Sequence, residues 1–128
     1  MKNIEFFKAG DTSFRKVSDF APEDFLNTLS KTDAEAQVKT HFSGDGGRLA
    51  LMEITEIAGA ESSLHYHDES EIFYVLEGEL HFGNRVCVQG DSVFIMAGTQ
   101  YKFTAGANGV RYLKFTAVPD HSVNVVHI

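Results

Sequence analysis

His65 and His67 stand two residues apart in the stretch Ser63-Leu64-His65-Tyr66-His67-Asp68-Glu69-Ser70-Glu71, and Glu71 follows four residues later. Alternate residues of a strand project to one face, so the two imidazoles lie about 7 Å apart on the same side, within reach of one ion at ~2.1 Å bonds. Glu71 cannot join them on a straight strand, because four extended residues cover roughly 13 Å. Asp68, Glu69 and Ser70 all suit a bend, and a reversal there returns Glu71 to the histidines on the next strand. Two imidazoles and one carboxylate with open positions are typical of non-haem iron(II) sites, and manganese, nickel or zinc can use the same donors. The blander account is a pair of strand histidines that only hydrogen-bond, with Glu71 one more solvated member of an acidic run. Spacing selects Glu71 as the third ligand, with Glu69 as the fallback.

The full pattern is Gly59, five residues, His65, one residue, His67, three residues, Glu71, six residues and Gly78. It resembles the first motif of the cupin superfamily at every fixed position. A second, degenerate motif follows: Gly90 and Gly98 stand where the family has glycines, but Met96 replaces the usual proline, Tyr101 the fourth ligand histidine and Ala105 the asparagine. The resemblance covers roughly Gly47 to Ala117. It implies an all-β, single-domain antiparallel barrel (a double-stranded β-helix, or jelly roll) with one divalent transition metal inside its mouth, iron(II) being favoured. It also implies a homodimer built with the terminal strands. Two function classes follow: a metal-dependent enzyme acting on a small organic substrate, of dioxygenase type or a Lewis-acid isomerase, cyclase or lyase, and a non-catalytic ligand-binding or sensing cupin.

In Gln100-Tyr101-Lys102-Phe103, alternation puts Tyr101 and Phe103 on one face, opposite Lys102. If that face is interior, the Tyr101 phenol enters the metal pocket. With a pKa near 10 it is a poorer ligand than imidazole. A hydrogen-bond donor to the substrate or to a water on the ion is then favoured over a phenolate ligand or a general acid/base. An ordinary core tyrosine is the structural alternative. Met52, Phe73, Phe103 and Phe115 are the candidate lining of an apolar substrate pocket. His41 and His81 flank the motif and more often would be satisfied or surface residues, and His121 and His127 lie in the tail. Cys87, between Val86 and Val88, reads as a small buried residue.

The elements that must position these groups are short strands. Eleven Phe, four Tyr, eleven Gly and two Pro favour strands with tight turns. Strands are expected at Asn3–Phe7, Phe14–Val17, Ala36–Phe42 and Arg48–Ile57. Further strands are expected at Ile72–Leu76, Leu80–Phe82, Arg85–Gln89, Ser92–Met96, Gln100–Thr104 and Val110–Ala117. Regular short spacing implies a sandwich or barrel. Pro22 to Leu29 predicts one short helix, with acids in its first turn and Phe25, Leu26 and Leu29 buried against a barrel end. The organisation is one domain over 1–128, its barrel core about 36–117, with N-terminal strands and the helix over 1–35 and a last strand in 118–128. A net charge of −7 argues against nucleic acid or an anionic membrane surface as partner. One cysteine excludes an internal disulfide. With no signal peptide and no run of ~20 apolar residues, the expectation is a cytoplasmic protein whose partner is a small molecule.

Overall fold

The chain is described by a computed structural model over residues 3–117 and 123–126. His121 and His127 lie outside the described residues. Two strands form its centre, β5 (Glu71–Phe82) and β8 (Thr104–Thr116), paired antiparallel along their length. β8 pairs on its other side with β3 (Ala50–Glu56), and β3 with β2 (Gln37–Ser43), whose far edge takes β1 (Arg15–Lys16). β6 (Arg85–Cys87) and β7 (Ser92–Ile95) both pair with β5. A second small sheet pairs β4 (His65–Tyr66) with β9 (Asn124–Val125). The result is the expected antiparallel jelly roll. Among the described residues no helix is long and apolar enough to cross a membrane.

Alternation puts Phe73 and Val75 of β5 and Val110 and Tyr112 of β8 inside; Leu80 joins them beyond the register shifts near Gly78, with Phe103 and Ala105 in the same core. Rings tile this interior, Phe73 lying 4.9 Å from Tyr112 and 6.2 Å from Phe103 between centroids. Cys87 packs against the same core, and burial raises its thiol pKa.

Several element boundaries differ from the expectation. Glu77-Gly78-Glu79 does not end a strand: β5 runs through it and changes register with β8 on either side. Gly78 (φ 75°) meets Gly109 (φ 77°), and a Cβ on Gly78 would overlap the Gly109 carbonyl, so only two glycines permit this crossing. Asn3–Phe7 forms no strand, and Gln100–Thr104 is reduced to an isolated bridge at Tyr101 before β8 begins. The helix expected over Pro22–Leu29 stops after α2 (Glu23–Leu26), between α1 (Val17–Phe20) and α3 (Lys31–Ala34). Thr28 donates its hydroxyl to the Phe25 carbonyl at 2.7 Å, and Ser30 turns extended to cap α3 through the Asp33 N–H at 3.0 Å. Such hydroxyls compete with the helix ladder and restart it.

These short helices lie over one end of the interior, fastened to the loop before β4. Ser30 donates to the Glu61 carbonyl at 2.6 Å and Thr32 at 3.0 Å, while the Ser63 N–H donates to Asp33 Oδ2 at 2.8 Å.

Candidate functional site

β4 is held on both sides through His65. Its backbone pairs with Val125 on one edge and exchanges hydrogen bonds of 3.0 and 2.9 Å with Tyr101 on the other. Both histidines are buried and turn inward, their ring centroids 4.9 Å apart. The His65 Nδ1 lies 2.6 Å from the Ser63 carbonyl, which can only accept, so Nδ1 carries the proton and Nε2 keeps its lone pair. The bend foreseen after His67 is present: the Gly98 N–H donates to the His67 carbonyl at 2.8 Å, and the Ala97 N–H to the Ser70 hydroxyl at 3.0 Å. It returns Glu71 to the histidines, with Oε1 3.6 Å from His67 Nε2. Glu69 is exposed.

The Glu71 side chain is fully shielded from solvent; its Oε1 is hydrogen-bonded, whereas its Oε2 has an ion-pair neighbour but no hydrogen-bond partner among the described residues. The Tyr101 hydroxyl donates to Oε1 at 2.5 Å, and the Lys114 ammonium sits 3.3 Å from Oε2. A buried carboxylate left alone is costly, and Lys114 supplies its countercharge. Tyr101 also rests beside His65, with centroids 4.4 Å apart. Among the described residues no three His, Cys, Asp or Glu side chains form a ready-made cage for an ion. The donor chemistry nevertheless fits a divalent metal: His65 has the protonated-Nδ1 anchoring usual for a ligating histidine, beside a second imidazole and a carboxylate.

His65, His67, Tyr101 and Lys114 of this cluster line one wall of a cavity of about 230 Å³. Met52, Phe73 and Phe103 line it as expected, and Val17, Phe20, Phe25 and Leu29 of the helical segment close it. Phe115 does not line it. Tyr112 and Lys114 face inward on β8, so Phe115 falls on the outer face. His41 also lies away from the cavity, stacked on Phe7 and 3.1 Å from Glu53 Oε1, and His81 lies 3.1 Å from Glu79 Oε1.

Four ionisable lining residues were not singled out from the sequence: Asp33, Glu56, Tyr112 and Lys114. The alternation Ala50, Met52, Ile54 reaches Glu56 two residues further on, which was the available signal. Glu56 is 4 % exposed; burial chiefly, then repulsion from Asp33, pushes its carboxyl up to about 7, against a hydrogen bond from the Tyr112 hydroxyl at 3.3 Å. Burial likewise raises Asp33, partly offset by the Ser63 N–H, and holds the Tyr112 phenol protonated well above its ordinary range.

The family model for the cupin domain matches residues 52–116, half of the chain, and the protein belongs to the cupin family. Its fold resembles polyketide cyclase RemF from Streptomyces resistomycificus at TM-score 0.72 and 19 % identity, over 98 % of this chain and 87 % of that one. An RmlC-like cupin from Shewanella frigidimarina NCIMB 400 aligns at TM-score 0.65 and 22 % identity, over 92 % and 96 %. KdgF from a Halomonas species aligns at TM-score 0.65 and 17 % identity, over 88 % and 93 %. No curated protein matches the sequence.

Proposed function

We propose that this cupin is a metal-dependent enzyme acting on a small organic molecule in its interior cavity, with His65, His67 and Glu71 holding a divalent ion, iron(II) in preference to manganese, nickel or zinc. The observation that carries the proposal is the gathering of the two imidazoles and Tyr101 on one wall of the cavity, with the buried Glu71 carboxylate beside them, 3.6 Å from His67 Nε2 and hydrogen-bonded by the Tyr101 hydroxyl. When bound, the ion supplies Lewis acidity and, as iron(II), dioxygenase chemistry. The chain's own residues do the rest. Ser63 fixes the His65 ring, Lys114 compensates the Glu71 charge, and the phenylalanines exclude water. Tyr101 keeps a proton at its hydroxyl, beside the ligands, where it can be passed to or taken from a bound molecule. The polyketide cyclase among the structural neighbours agrees with cyclase chemistry as one outcome.

A non-catalytic ligand-binding role is the second candidate. One observation favours it: Tyr101 and Lys114 already engage both Glu71 oxygens. Elemental analysis after anaerobic purification decides between the two. One ion per chain in the native protein, falling at least tenfold in His65→Ala and His67→Ala with the fold retained by circular dichroism, supports the enzyme. Equal metal content in all three rejects the site. Tyr101→Phe keeps the metal and lowers turnover in an oxygen-uptake screen of catechols, diketones and thiols.

The proposal includes a homodimer. Its support is the outer sheet face, where Ile72 pairs across strands with both Phe94 and Phe115 and all three are exposed.

A further inference from the structure

At the end of β3, Glu56 is the most constrained polar group of the cavity outside the histidine cluster. Its Oε2 accepts from the Tyr112 hydroxyl, while its buried Oε1 has no hydrogen-bond partner. An orphaned oxygen in such a place costs free energy unless something else satisfies it. The groups facing it do not. Tyr112 spends its proton on Oε2, and Asp33 is an acid whose Oδ2 is occupied by the Ser63 N–H. Lys114, the cation lining the same cavity, is turned to Glu71. The remaining candidate is a molecule in the cavity, onto which Glu56 faces.

The division of labour between the two oxygens says which kind of molecule. Oε2 receives a hydrogen bond, so it is the carbonyl-like oxygen, and in the neutral acid the proton resides on Oε1. A carboxyl proton in an apolar pocket is a strong donor, and it needs an acceptor. We propose that Glu56 is a ligand-recognition residue, whose carboxyl donates from Oε1 to a ketone, ester or enol oxygen of a small, largely apolar molecule. The cavity, at about 230 Å³, is below the ~300 Å³ of drug-sized sites, so the molecule is compact. Phe25, Phe73 and Phe103 suit an aromatic or aliphatic body. The proton that Glu56 holds to about 7 keeps the donor in place under neutral and mildly acidic conditions. The inference rests on the cavity being a ligand site, as proposed above, and on nothing about the metal.

A matched trio of probes tests it on the full chain by NMR titration: ethylbenzene, acetophenone and 1-phenylethylamine, alike in shape and differing in what they offer Oε1. At pH 5.5 acetophenone is expected to bind about five- to tenfold tighter than ethylbenzene, the effect of one buried hydrogen bond. The preference disappears at pH 8.5, where the carboxylate has no proton to give. Glu56→Leu abolishes the preference at pH 5.5. Glu56→Gln, whose amide N–H still donates, retains it at both pH values. Tightest binding of the amine, or a ketone preference that survives Glu56→Leu, overturns the assignment. Equal binding of ethylbenzene and acetophenone overturns it while leaving the cavity a ligand site, and failure of all three probes to bind removes both.

Discussion

At the residue scale, Glu56 has a second consequence, for stability. Its carboxyl pKa is raised from 4.5 to about 7 in the fold, so between those values the folded chain holds a proton that the unfolded chain has lost. The stabilisation is full below about pH 4.5 and is lost as pH rises through about 7, amounting to on the order of 3 kcal/mol. Urea midpoints measured from pH 5 to pH 8 should therefore fall for the native protein and stay nearly level for Glu56→Gln. The clustering of the two histidines was legible in the sequence because the motif has fixed spacing, and Glu71 because the intervening residues suit a bend. Glu56 and Lys114 were not, because an isolated charge on a strand ordinarily marks the solvent side. Their inward facing is set by partners 56 and 43 residues away, Tyr112 and Glu71. Phe115 failed as a pocket residue for a related reason: phenylalanine suits either face of a sheet whose outer side is itself apolar.

Among the elements, turn residues marked where strands bend, and mostly where they end. The exceptions are the glycines inside β5 and β8, which punctuate a sequence whether the chain turns there or crosses a neighbour at close range. Gly78→Ala therefore destabilises the fold by about 2–4 kcal/mol, since it combines a positive φ with overlap on Gly109. Gly59→Ala, also at positive φ but with open space around it, costs about 1 kcal/mol. Thermal unfolding of the two variants checks the ranking, and equal losses would show that the crossing carries no strain. The helices α1 and α3 left little trace in the sequence because each is a single turn, too short for a 3.6-residue period to emerge. Ser30 caps α3 and, by turning extended, ends the segment that follows α2.

For the whole molecule, the apolar outer face predicts association. The native chain should run at twice its 14.2 kDa mass in light scattering, and Phe94→Glu, at a residue 61 % exposed on that face, should return it to a monomer. A native monomer at micromolar concentration would reject the dimer. The jelly roll itself could be read from strand spacing and the motif, and a helical cover over one barrel end from Pro22 to Leu29. Its attachment could not, because it is made with a distant loop: Ser30 and Thr32 donate to the Glu61 carbonyl and Asp33 accepts from the Ser63 N–H. Ser63 stands at the junction of that attachment: its amide hydrogen goes to Asp33 and its carbonyl receives the His65 ring. The cover and the imidazole thus hang from one residue, and whatever displaces Ser63 disturbs both.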